Sequence, residues 1–131
     1  MPKTGKTYSI NEAYQSRFPE GIQRYLEWAK SPQAANYSMR YVGSLVADFH
    51  RMLLRGGVFL YPPTTDAPKG KLRLMYEANP IAFLAEQAGG AATDGCTRIL
   101  EKQPQSMHER TALIVGSAEE VQRVQSFWSG D

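Results

Sequence analysis

Hydrophobic and polar positions along the chain fall into two rhythms, one of period two and one near 3.6, and each predicts elements. Residues 6–10 (KTYSI) predict a short strand. Pro19 followed by Glu20 opens a helix to about Lys30, because the fixed φ of proline suits a first helical turn. Residues 31–37 form a polar connection. Over residues 44–54, Leu45, Val46, Phe49, Met52 and Leu53 make a helical stripe that ends at Gly56-Gly57. Residues 58–61 (VFLY) are an apolar strand stopped by Pro62-Pro63. Asn79 reads as the cap of a helix with Pro80 at its first position and Gly89-Gly90 past its end. Ile81, Leu84, Ala85 and Ala88 are its apolar face. Residues 112–115 predict another strand, and Ser117-Ala118-Glu119-Glu120 matches a capping box that opens the last helix. Strands and helices intermix, so the expected class is α/β, with helices layered on a sheet.

Residues 70–77 carry the most chemistry. Apolar and charged residues alternate between Gly70 and Asn79-Pro80, which predicts a strand. On that strand Lys71, Arg73 and Glu77, with Met75 between them, face one side, and Leu72, Leu74 and Tyr76 face the other. Lysine offers a point charge and arginine a flat fork of donors, and both suit phosphate. A carboxylate a few residues on can hold a divalent cation beside it. A solvated charged face on a surface strand explains the same eight residues.

A second cluster, Arg40-Tyr41-Val42-Gly43-Ser44, precedes the second helix. Helix N-termini attract anions, and Gly43 permits close approach of a ligand. An ordinary helix start with Ser44 as cap, and an unremarkable Arg40 before it, is the simpler account of the cluster taken alone. The hydroxyls of Tyr14, Tyr41 and Tyr61 can donate to a phosphate without adding charge, or can be the polar tips of core residues. His50 and His108 lack an adjacent nucleophile and read as structural, and Asp48 with Arg51 reads as a pair on the helix surface or as members of a salt bridge.

Composition narrows the classes. The chain has 131 residues, enough for one domain with one core. A hydrophobic share of 42% with 21% charged residues fits a globular protein, and a net charge of +2 favours neither nucleic acid nor a membrane surface. Cys96 is the only cysteine, which excludes an intrachain disulfide and a cysteine metal cluster. No apolar run reaches the ~18 residues of a membrane span. The opening residues MPKTGKT are unlike a signal peptide, and a cytoplasmic location is expected. No phosphate loop of the P-loop type and no closely spaced aspartate pair occurs, so Glu77 stands alone as a good metal ligand.

Several long segments then match one family in order. They are residues 8–12 (YSINE), 40–51 (RYVGSLVADFHR), 56–62 (GGVFLYP), 70–77 (GKLRLMYE), Asn79-Pro80 and 85–90 (AEQAGG). Together they closely resemble the C-terminal half of class I fructose-1,6-bisphosphatase, from about residue 4 to about residue 128. The resemblance implies an α/β/α sandwich with a mixed sheet over residues 1–131, and an enzyme that hydrolyses fructose 1,6-bisphosphate to fructose 6-phosphate and phosphate in gluconeogenesis with Mg²⁺. It implies that Asn11, Tyr14, Tyr41, Tyr61 and Lys71 hold the sugar 6-phosphate. Arg40 reaches the site of a neighbouring subunit, which makes the family oligomeric. Gly43, Ser44 and Leu45 lie against the sugar, Arg73 is near the 1-phosphate end, and Glu77 is a metal ligand.

The departures matter as much. The acidic metal motif, the water-activating loop and the AMP site of the family's N-terminal half have no match in these residues, and Ala13 replaces the usual glycine after Asn-Glu. The expectation is therefore a 6-phosphate-binding half, inactive alone and partnered by the other half. The alternatives are a non-catalytic phosphosugar-binding or subunit-interaction domain, and part of a sedoheptulose-bisphosphatase.

Overall fold

Strict alternation along two strands divides the interior into two cores. Among the residues described in the computed structural model, 1–128, strand β3 (Val58–Tyr61) sends Val58 and Leu60 into one core and Phe59 into the other. Its antiparallel neighbour β7 (Leu113–Gly116) sends Ile114 to the first side and Leu113 and Val115 to the second. Period-two patterning of this kind requires cover on both faces. Helices α1 (Glu20–Ala29) and α4 (Ala118–Trp128) cover one face through Ile22, Tyr25, Leu26, Val121 and Val124. Helices α2 (Leu45–Arg55) and α3 (Asn79–Gln87) cover the other through Phe49, Ile81, Ala82 and Ala85. Each fully buried large side chain contributes roughly 1.5–3 kcal/mol.

The sheet is mixed, as expected. Its order is β2 (Ser38–Met39), β1 (Thr7–Ser9), β3, β7, β5 (Ala91–Thr93). β2 and β3 both run parallel to β1, while β7 is antiparallel to β3 and to β5. A separate two-stranded ribbon pairs β4 (Leu72–Arg73) with β6 (Arg110–Thr111). The short strands β2, β5 and β6 have no counterpart in the patterning, because two or three residues are too few to show a period.

Four expectations are corrected. The strand expected over residues 70–77 ends at Arg73, and Leu74–Ala78 form a π turn that runs straight into α3. Tyr76 is therefore exposed instead of lying on an apolar face, and Asn79 is the first residue of α3, donating its N–H to Leu74, not a side-chain cap. The cause is Pro80, whose ring crowds the carbonyl four residues back and whose missing N–H leaves it unbonded; a wider turn before it accommodates both. On α3, Ala82 is buried and Leu84 is half exposed, so the buried face is rotated from the one expected. Finally, the capping box at residues 117–120 does not close. The Ser117 hydroxyl accepts from the Gly57 N–H at 3.0 Å, and the Ser117 N–H donates to the Gly57 carbonyl at 2.8 Å, tying α4 to the start of β3. Glu120 is buried and accepts instead from the Tyr37 hydroxyl at 2.6 Å.

Candidate functional site

Three parallel strands open onto the same edge of the sheet. β2, β1 and β3 lie side by side and run in one direction, so their C-terminal ends coincide. Arg40 and Tyr41 follow β2, Ile10 and Asn11 follow β1, and Tyr61 closes β3. The crevice beyond the carboxyl ends of parallel strands is where open α/β sheets place ligands. Here a pocket of about 40 Å³ lies among Asn11, Tyr14, Tyr41, Tyr61, Thr64 and Lys71, over an apolar floor of Ile10, Phe18, Leu60 and Pro62. That is about three times the space that one water requires. It suits a compact group such as a phosphoryl with three terminal oxygens.

The pocket's polar groups are neutral donors and one cation, and no carboxylate lines it among the described residues. Asn11 turns its side-chain oxygen to the Ala13 N–H at 3.3 Å, in the turn that starts the 3₁₀ segment Glu12–Arg17, which leaves its NH₂ donors to the pocket. Thr64 accepts from the Ala67 N–H at 3.1 Å, so its hydroxyl proton is free to point elsewhere. Lys71 Nζ lies 5.2 Å from the centre of the Tyr14 ring, and Arg17 Cζ lies 5.1 Å from it while pairing with Asp66 at 3.1 Å. Cation–π contact of this kind orients an ammonium while leaving its donors open. Burial, then the hydroxyl of Tyr61, the carboxylate of Asp48 and the hydroxyl of Tyr14, push the Tyr41 phenol above its usual range. Tyr41 is thus neutral, and a donor, throughout the physiological range.

Of the sequence-derived candidates, the pocket gathers Asn11, Tyr14, Tyr41, Tyr61 and Lys71, and leaves the others outside. Arg40 is exposed, with its guanidinium 3.4 Å from the Met39 carbonyl. Gly43, at φ +93°, lies in the turn before α2, a conformation other residues adopt only with strain. Ser44 caps α2 by accepting from the Ala47 N–H at 3.4 Å, and Leu45 packs against the second core.

Asp48 is not on the surface. It is fully buried, accepts from the Val42 N–H at 3.0 Å and the Gly43 N–H at 3.2 Å, and pairs with Arg51 at 2.8 Å. Arg51 in turn donates to the Arg40 carbonyl at 2.9 Å. The salt bridge expected of these two is present, and only their placement on the surface is corrected: a buried carboxylate must be fully hydrogen-bonded, and the 40–44 turn supplies the donors. The signal was present, since Leu45, Asp48, Phe49 and Met52 occupy i, i+3, i+4 and i+7 of one helical face. Thr64 was also missed; it lies in the stretch from Pro62 to Gly70, which reads only as a loop leading into the charged segment.

Arg73 and Glu77 lie at a second locus. The π turn brings Glu77 back so that its Oε1 accepts from the Arg73 N–H at 2.8 Å. The two side chains therefore do not share one strand face, as the expected alternation required. Arg73 also approaches His108 Nδ1 at 3.5 Å, and the Tyr76 hydroxyl is 2.5 Å from the same nitrogen. Mg²⁺ demands six oxygens and takes one or two from carboxylates. Among the described residues no group of three or more His, Cys, Asp or Glu side chains could hold a metal. One carboxylate with an oxygen already engaged does not make up a Mg²⁺ site by itself.

Residues 1–129 match the model of the fructose-1,6-bisphosphatase C-terminal domain. The chain belongs to that family. It is similar to the class 1 fructose-1,6-bisphosphatase of Pelodictyon phaeoclathratiforme, at 58% identity over 98% of this chain and 40% of the relative. That of Chlorobium luteolum is 57% identical over the same shares, and one from Salinibacter ruber is 53% identical over 99% of this chain and 37% of its own length. The chain thus spans about 40% of the length of the fructose-1,6-bisphosphatases it matches. No helix among the described residues is long and apolar enough to cross a membrane.

Proposed function

We propose that residues 1–131 form the substrate-anchoring domain of a fructose-1,6-bisphosphatase and hold the 6-phosphate of the sugar. The observation that carries this reading is the pocket itself. Four segments distant in sequence bring Asn11, Tyr14, Tyr41, Tyr61 and Lys71 around one small cavity without a carboxylate. Lys71 supplies the charge, the hydroxyls and the Asn11 amide supply direction, and the apolar floor excludes water. Fixing one end of the substrate positions the other end for hydrolysis at the 1-phosphate. Glu77 is proposed to give one oxygen to a Mg²⁺ site whose other ligands lie outside these residues, with Arg73 beside it. Arg40, exposed at the pocket's edge, is proposed to serve the site of a second copy in a homo-oligomer, and the backbone of Gly43, Ser44 and Leu45 to face the sugar. A cytoplasmic, gluconeogenic setting goes with this reading.

Calorimetric titration with fructose 6-phosphate and with fructose tests the reading. Saturable binding of the phosphate ester alone, lost in Lys71→Met, is expected. Equal binding of both sugars, or an unchanged affinity in Lys71→Met, overturns it. A second reading, a phosphosugar-binding domain that does no chemistry, is favoured by the lone carboxylate at Glu77. Mg²⁺-dependent phosphate release from fructose 1,6-bisphosphate separates the two when the chain is assayed with the remaining part of a relative supplied in trans. Sedoheptulose 1,7-bisphosphate in the same assay reads the substrate preference.

A further inference from the structure

Tyr41, unlike the pocket tyrosines Tyr14 and Tyr61, is carried by an exposed turn and not by a strand or the 3₁₀ segment, and it stays 38% exposed. Nothing in residues 40–44 is regular structure, Val42 is 66% exposed, and Gly43 adds a freely rotating backbone at φ +93°. Such a turn does not by itself hold a side chain in register with Tyr14 and Tyr61. Its order must come from elsewhere, and among the described residues the fully buried charge bonded to it is Asp48.

We infer that Asp48 is a positioning residue for ligand binding: its buried carboxylate clamps the 40–44 turn and so sets the Tyr41 hydroxyl in the pocket. The geometry has three parts. Each carboxylate oxygen takes a different backbone donor, Oδ1 the Val42 N–H at 3.0 Å and Oδ2 the Gly43 N–H at 3.2 Å, so the two peptide planes after Tyr41 are fixed together. Arg51 neutralises the carboxylate at 2.8 Å and grips the Arg40 carbonyl at 2.9 Å, which fixes the peptide before Tyr41. Tyr41 is thereby held from both sides by one ion pair rooted on α2. The Asp48 side chain has no exposed surface and does not line the pocket, so it acts only through the turn. Bidentate acceptance of two adjacent backbone donors is something a carboxylate provides and an amide cannot match, because the amide has one acceptor oxygen.

This inference rests on the pocket reading above, and the experiment separates the two. Fructose 6-phosphate is titrated calorimetrically into the wild-type chain, Asp48→Asn, Tyr41→Phe and the double variant, with Lys71→Met in both backgrounds as control. The folded fraction of each variant is set by circular dichroism. Asp48→Asn is expected to weaken binding roughly tenfold, the usual scale for losing a hydrogen bond to a charged group. Tyr41→Phe is then expected to have almost no further effect in the Asp48→Asn background, while Lys71→Met keeps its full effect there. A role in global stability alone would leave the affinity per folded molecule unchanged and the Tyr41 effect intact, and that result overturns the inference. No binding by the wild-type chain overturns the pocket reading instead. Amide hydrogen exchange of the wild-type chain needs no variant to fold: Val42 and Gly43 are expected to be protected despite their exposed surroundings. Exchange at the rate of a free turn would show that no clamp exists.

Discussion

Arg73 donates its backbone N–H to Glu77 Oε1 at 2.8 Å, across one π turn that begins at Leu74. The Glu77 carboxylate thus reaches back from the turn to the N–H of the residue that precedes it, the reciprocal half of a capping box, while the Arg73 side chain makes no capping bond. Glu77→Ala is expected to cost about 1–2 kcal/mol, and Glu77→Gln, which keeps an accepting oxygen, about 0.5 kcal/mol. Urea denaturation of the three proteins checks the ranking. If any loss of Mg²⁺-dependent activity in the reconstituted enzyme is the same for both variants, it tracks the carboxylate's charge and not this cap.

Gly70 precedes Lys71 at φ +90°, and a Cβ there would lie 2.2 Å from the Thr111 carbonyl carbon. Both the backbone conformation and the contact with rigid main chain exclude a side chain. Gly70→Ala is expected to destabilise by more than about 3 kcal/mol. It should also detach β4 from β6, so that Lys71 leaves the pocket and affinity for fructose 6-phosphate falls together with the thermal midpoint.

Tyr8 and Tyr37 contribute to alkaline stability alongside Tyr25 and Tyr41, whose phenols are also raised. Burial first, then a hydrogen bond to a glutamate, raises Tyr8 (beside Glu12) and Tyr37 (beside Glu120) to about 12 from an unfolded value of 10.0. The folded state keeps these protons longer than the unfolded chain does, so stability is full below pH 10 and declines as pH rises from 10 to 12. Denaturation midpoints measured across that range should fall, and Tyr37→Phe should flatten the decline. A flat profile in the wild-type chain would rule out the raised phenols.

In acid the same reasoning runs the other way for Asp94. Burial opposes its charge but is outweighed by the bonds from Lys102, the Thr97 N–H and the Cys96 N–H, so its carboxyl is held below the ordinary 3.8. Its contribution is present above that value and is lost as pH falls through the lower folded value. Lys102→Met is expected to remove part of this acid dependence, read by the denaturation midpoint between pH 5 and pH 2 (about the range over which such a carboxylate titrates).

The sequence was most legible where elements were long or strictly alternating. α1, α2 and β3 announced themselves through helical stripes, Pro19, the paired glycines after α2 and the run 58–61. It misled where two signals conflicted. Leu72, Leu74 and Tyr76 alternate like a strand, yet the chain coils from Leu74 and runs through Pro80 into α3. The members of the pocket could be named through family resemblance. Their convergence could not be read from the residues alone, because it depends on β2, two residues long, pairing parallel to β1. Asp48 was missed for a different reason. A charge next to a basic residue on a helix reads as solvated until the backbone donors folded over it are known.

The sheet's mixed character divides labour within the molecule. The exits of its parallel half, β2-β1-β3, deliver Asn11, Tyr41 and Tyr61 to the pocket and the ribbon of β4 and β6 delivers Lys71, while β7 and β5 deliver none of it. Substitutions in the antiparallel half should therefore change how many molecules are folded, not how tightly each one binds. Substitutions just past the ends of the parallel strands should do the reverse. Affinity and robustness are in this way separately adjustable, and a library confined to the three strand exits can retune recognition without touching the scaffold that keeps the protein folded.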